Sequence, residues 1–90
     1  MTWQVYIIRC TDDSLYTGIT IDVARRFNQH GDKLGAKYFR GRLPQQLVYV
    51  GTGHDRSSAS KREIVIKNLP RLEKLQLLDS DSNKVGNFPL

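Results

Sequence analysis

Residues 5–18 read VYIIRCTDDSLYTG. Two apolar, β-prone runs, each holding a tyrosine (Tyr6 and Tyr16), flank the polar break Thr11-Asp12-Asp13-Ser14, the pattern of a β-hairpin with strands over residues 4–10 and 15–20. Side chains alternate between the faces of a strand, so the register decides whether the two tyrosines can act together. A loop of even length sends them to opposite faces. If Thr11 pairs with Leu15 around a three-residue loop of Asp12, Asp13 and Ser14, Tyr6 stands opposite Thr20 and Tyr16 opposite Cys10, on one side of the sheet. A bulge has the same effect. Gly18 falls on that side too, and a glycine inside a strand marks close approach by a ligand or another backbone.

The rest of the chain extends this start into an α+β domain. Asp22 or Thr20 can cap a helix running to about residue 30, with Val23 and Phe27 one turn apart on its buried side and Arg25, Arg26 and Asn28 on its exposed side. Residues 31–44 are aperiodic, with three glycines, a proline and the run KYFRGR, and read as a long loop with a short helical turn. QQLVYVG supplies a third strand at residues 47–50, closed by Gly51 and Gly53, and His54 falls in a turn. Asp55 or Ser57 then caps a helix over residues 58–68 with a stripe of Ala59, Val65, Ile66 and Leu69. Pro70 suits the first turn of a last helix, capped by Asn68 or Leu69 and facing Leu72, Leu75 and Leu78 inward. The resulting expectation is a small three-stranded antiparallel sheet flanked by helices, in the order ββαβαα, over residues 1–78. Residues 79–90, DSDSNKVGNFPL, show no period and are expected to form a flexible tail.

Ninety residues make one domain close to the lower size for a single core. The lone Cys10 excludes an internal disulfide and has no CxxC or histidine partner nearby, which leaves a structural metal site unsupported and suits a reducing compartment. No run approaches the ~20 apolar residues of a membrane span, and the first ten residues lack the basic start of a signal peptide. A cytoplasmic protein with no membrane association is the expectation. Fourteen Lys plus Arg against nine Asp plus Glu give a net charge of +5. Between Arg25 and Lys74 twelve basic residues face four acidic ones, a field that favours a polyanionic partner, although an ordinary solvated basic surface explains the charge alone equally well.

Taken singly, the polar residues have modest readings. Arg26 and His30, four apart, share a helix face and can address one ligand, or serve as a surface arginine and a helix-end histidine. Glu63 in SKREIVIKNL has Lys67 four residues on as a salt-bridge partner. In order and together they say more. Val5-Tyr6-Ile7 followed by Tyr16-Thr17-Gly18, then Arg26, His30 and a later helical Glu63, resembles the GIY-YIG nuclease signature, in its small stand-alone bacterial branch, over residues 3–78.

That resemblance implies a metal-dependent endonuclease hydrolysing phosphodiester bonds in DNA, with structured or damaged DNA in repair or recombination as its context. Tyr6 and Tyr16 would line the active face, Arg26 and His30 would lean over it, and Glu63 would hold one Mg²⁺ or Mn²⁺. Tyr16 would be the general base, assisted or replaced by His30, with Arg26 stabilising charge on the phosphoryl group and Tyr6 orienting by hydrogen bonding. A phenol with a pKa of ~10 needs nearby cations to ionise at neutral pH. Some members carry a lysine where Ile19 stands, so a further cation would come from elsewhere, such as Lys37. Gln4 and Val5 stand in place of the motif's glycine and isoleucine, and neither Asn68 nor Asn83 is spaced for an asparagine found in some members. KLGAKYFRGR brings Lys33, Lys37, Arg40 and Arg42 with Tyr38 and Phe39, suited to phosphate contacts and base stacking, and Arg62 and Lys67 extend the set around Glu63. At least one of the two aromatics is expected to plug the core. Two other readings are a non-catalytic nucleic-acid-binding module of this fold, and a nuclease subunit that needs a protein partner for targeting.

Overall fold

A computed structural model describes residues 2–31 and 43–88, with His30 and Gly31 defined by their backbone only. The order is β1 (Trp3–Cys10), β2 (Leu15–Thr20), α1 (Val23–Gly31), β3 (Pro44–His54), α2 (Arg56–Lys67), α3 (Arg71–Leu78) and a 3₁₀ turn (Val85–Asn87). The three strands form one antiparallel sheet in the order β2-β1-β3. This is the α+β fold with order ββαβαα.

The hairpin loop has three residues, one position earlier than the expected pairing. The Cys10 amide donates to the Ser14 carbonyl, leaving Thr11, Asp12 and Asp13 in the loop, and Asp13 takes the left-handed conformation at φ 68°. The Asp12 carboxylate accepts from the Ser14 amide and hydroxyl and holds the turn. Tyr6 therefore pairs with Gly18 and Ile8 with Tyr16. The parity is the one that matters: both tyrosines lie on one face.

β1 is the middle strand and is covered on both sides, which is why its apolar run is continuous rather than alternating. On one side Tyr6, Ile8 and Cys10 join Leu47 and Val50 under Val23 and Phe27 of α1 and Val85 and Phe88 near the C-terminus. On the other, Val5, Ile7 and Tyr49 pack against Ala59 and Ile66 of α2, with Leu77 and Leu78 of α3 beside them. Asp22 caps α1 by accepting from the Arg25 amide at 3.1 Å. Asp55 and Ser58 form a reciprocal capping box on α2, and the Ser58 amide bond holds the Asp55 carboxyl below its usual range.

Four expectations change. β3 is longer than residues 47–50, and its register shifts against β1 carry it to His54, which pairs with Trp3 and contacts the Ser58 hydroxyl through Nδ1 at 3.0 Å rather than sitting in a turn. On α2, a turn of 100° per residue puts Glu63 about 40° and Val65 about 120° from Ala59, so the sheet-facing stripe is Ala59-Glu63-Ile66 and Val65 is exposed. Pro70 is the cap of α3 rather than part of its first turn, and Leu72 and Leu75 are exposed while Leu77 and Leu78 touch the core.

The fourth concerns residues 79–88, which are anchored instead of loose. Asn83 accepts from the amides of Val50 and Val85 and donates to the carbonyls of Val48 and Leu78, and the Lys84 amide donates to the Val50 carbonyl at 2.8 Å. One asparagine side chain thus ties the β3 edge to the end of α3, satisfying backbone groups that an edge strand would leave open. Asn83→Ala should lower stability by about 1–3 kcal/mol, read as a shift of the urea midpoint at unchanged slope. Gly18→Ala should cost a similar ~1–3 kcal/mol in the same assay, because its Cβ would lie 2.5 Å from the buried Tyr6 hydroxyl.

Candidate active site

Tyr6 is the anchor of the candidate site. Its ring leaves the central strand and crosses Gly18 on β2, where the missing side chain makes room for the hydroxyl and Cζ. The residue is 1% exposed. Tyr16, one pairing further along the same face, is half-buried, and its ring centre lies 6.3 Å from that of Tyr6 at an interplanar angle of 44°. A tilted pair at this distance is a favourable aromatic contact.

Arg26 reaches the same point from α1. The helix was expected to present it outward, yet it is half-buried, and its guanidinium donates to the Tyr6 hydroxyl. Burial pushes the Tyr6 phenol up to about 12, the Arg26 hydrogen bond and charge oppose that rise, and the charges of Tyr16 and Glu63 add to it. Tyr6 is consequently a neutral phenol at physiological pH, able to donate a hydrogen bond as well as accept one. Gln29, one turn beyond Arg26, accepts from its Nη1 at 3.4 Å. The i,i+3 spacing on α1 was the signal for this positioning contact.

Glu63 approaches from α2 on the opposite layer. Its side chain is 21% exposed, and Lys67 Nζ lies 3.5 Å from its Oε2, so the expected i,i+4 ion pair is present. The same carboxylate lies close enough to Tyr6 to act on its titration. Glu63 occupies the stripe that a solvated surface residue would avoid, between Ala59 and Ile66. A lone carboxylate on an apolar stripe was the available clue.

Three candidates, Tyr6, Tyr16 and Arg26, thus come together on the face that α1 covers, and Glu63, on α2 in the opposite layer, acts on Tyr6 through its charge. The backbone of His30 is on α1, one turn past Arg26. Its side chain, like Lys33, Lys37, Tyr38, Phe39, Arg40 and Arg42, lies outside the described residues. Arg62, half-buried, and Lys67, exposed, flank Glu63 on α2. Among the described residues no three His, Cys, Asp or Glu side chains cluster into a metal cage. A single carboxylate fits hard cations such as Mg²⁺ or Mn²⁺, which keep several waters and take substrate phosphate oxygens, and does not fit a zinc-type site. No described helix is long and apolar enough to cross a membrane.

Comparison with known proteins agrees with this fold. A UPF0213 protein of Clostridium perfringens is 46% identical over 84 residues, covering 93% of this chain and 90% of that one. One from Desulfotalea psychrophila is 51% identical over 77 residues, covering 84% and 70%. The solution NMR structure of a UPF0213 protein from Bacillus halodurans superposes with a TM-score of 0.59 at 40% identity, covering 97% of this chain and 93% of that one. A family model described as the GIY-YIG catalytic domain matches residues 2–76, and the chain belongs to the GIY-YIG family.

Proposed function

We propose that this protein is a metal-dependent endonuclease that hydrolyses phosphodiester bonds in DNA. The grouping of Tyr6, Tyr16 and Arg26 on one face, with the Glu63 carboxylate acting on Tyr6 from α2, supports the reading, because a neutral phenol, a second and more accessible phenol, a guanidinium and a carboxylate are the groups that in-line attack on a phosphodiester requires. Glu63 holds the divalent ion, which when bound supplies Lewis-acid stabilisation of the phosphate and of the departing 3′ oxygen.

The protein's own groups perform the remaining tasks. Tyr16 takes the proton from the attacking water as a new P–O bond forms and the bond to the 3′ oxygen breaks, with His30 as its partner or substitute. Arg26, held by Tyr6 and Gln29, faces the charge that builds on the non-bridging oxygens. Tyr6 stays protonated and orients Arg26 or the water. Lys33, Lys37, Tyr38, Arg40, Arg42, Arg62 and Lys67 contact the nucleic acid. Structured or damaged DNA, as met in repair or recombination in the cytoplasm, is the substrate class to try first, and a partner protein would supply targeting.

Cleavage of duplex, nicked, flap and branched DNA in Mg²⁺ or Mn²⁺ tests this reading. Glu63→Ala and Arg26→Ala should each lower the rate by about 10²–10³-fold and Tyr16→Phe by about 10²–10⁴-fold, and chelation should abolish it. Equal cleavage by wild type and Glu63→Ala would sink the proposal, and salt-sensitive binding without cutting would return the chain to a binding module. A second measurement examines Tyr6. Its folded-state pKa lies above the unfolded value of 10.0, so the stability it contributes is intact below pH 10 and disappears as pH rises toward about 12. Urea unfolding should show the wild type losing more stability than Tyr6→Phe between these pH values; parallel loss would contradict a buried neutral phenol.

A further inference from the structure

A second feature lies beside these residues. The start of β1, the end of β2 and the first turns of α1 enclose an open cleft of about 690 Å³, within the 300–1,000 Å³ range of small-ligand sites. Arg26 lines both this cleft and the cluster around Tyr6. Its walls differ in chemistry. Ile21, 44% exposed, gives it an apolar side, while Trp3 and Ile19, which also border it, pack in the layer under α2, where Arg56 lies 5.6 Å over the Trp3 ring. Arg25 and Gln29 join Arg26 on the other side, and the Arg25 side chain is exposed. At the floor, Gln4, in the amide orientation that satisfies its neighbours, donates to the carbonyls of Thr20 and Ile21, bracing the end of β2 against β1.

One acidic group, Asp22, also lines the cleft. Its carboxylate accepts the Arg25 amide as the cap of α1, which places its charge against the positive end of the helix. The field of the cleft is therefore set by two arginines and one locally compensated carboxylate. An exposed apolar side chain beside two arginines matches the chemistry of a nucleotide, with an apolar base or sugar face next to a phosphate.

From this juxtaposition we infer that the cleft between β1, β2 and α1 is a nucleotide subsite, which receives the substrate strand one step beyond the phosphate at Arg26. Arg25 contacts the neighbouring phosphate, Gln29 offers its amide to the same strand, and Ile21 takes the apolar face. The inference rests on the nuclease reading for its substrate, but its contacts require no metal and no cleavage.

The test uses the intact protein in EDTA with a short fluorescent oligodeoxynucleotide as probe. Arg25→Glu should weaken binding by about tenfold or more at low salt. Lys84→Glu reverses an exposed charge next to β3, at the opposite edge of the sheet, and should change it by no more than about twofold. Trp3, the single tryptophan of the chain, borders the cleft, so its emission should change on titration with the same midpoint as the probe. Equal losses from the two charge reversals would reduce the effect to overall charge and overturn the subsite. Binding with unchanged Trp3 emission would place the strand elsewhere and overturn it as well. Binding that passes both criteria in a protein that cuts no DNA in Mn²⁺ would reject the nuclease and retain the subsite.

Discussion

The packing of the Tyr6 ring across Gly18 is the contact on which the other features depend. A side chain on β2 at that position would collide with the phenol, and a smaller residue on β1 would leave a void in the middle of the sheet. With the ring in place, its hydrocarbon body belongs to the core beside Ile8, Val23 and Val50. Its oxygen lies over Gly18 on β2. A buried residue thereby delivers a polar atom to the face that α1 covers, where Arg26 reaches it.

That delivery explains why the remaining groups sit as they do. Arg26 satisfies the buried hydroxyl and is drawn inward from the helix surface, and Gln29 steadies it from the next turn. Glu63 comes from the other layer, where α2 packs Ala59 and Ile66 against the opposite face of the same central strand. The proposed catalytic geometry depends on rigid neighbours, since displacements of about an ångström cost orders of magnitude in rate. The chain supplies that rigidity at its far end too, where Asn83 closes the β3 edge and holds the last helix and the 3₁₀ turn against the sheet.

Much of this was legible beforehand, for physical reasons that can be named. Strand and helix positions followed from β-branched runs, turn chemistry and caps, all local properties. The parity of the hairpin followed from loop length, although the pairing slipped by one position because Asp13 accepts the left-handed conformation and Ser14 rejoins the strand. Errors gathered where burial depends on a distant partner. Leu72 and Leu75 read as inward, yet only the last turn of α3 meets the core. The tail looked formless because its order comes from one side chain bonding to a strand more than thirty residues away in sequence.

By itself the sequence determined the order of elements, the shared face of Tyr6 and Tyr16, and the family signature, because these rest on short-range periodicity, loop length and motif spacing. Only the tertiary structure decided that Arg26 turns inward, that Glu63 belongs to the sheet-facing stripe, and that a cleft opens beside them. Those facts depend on which layers meet across the sheet. No local pattern carries that information, since it arises from the energy of covering both faces of one central strand at once.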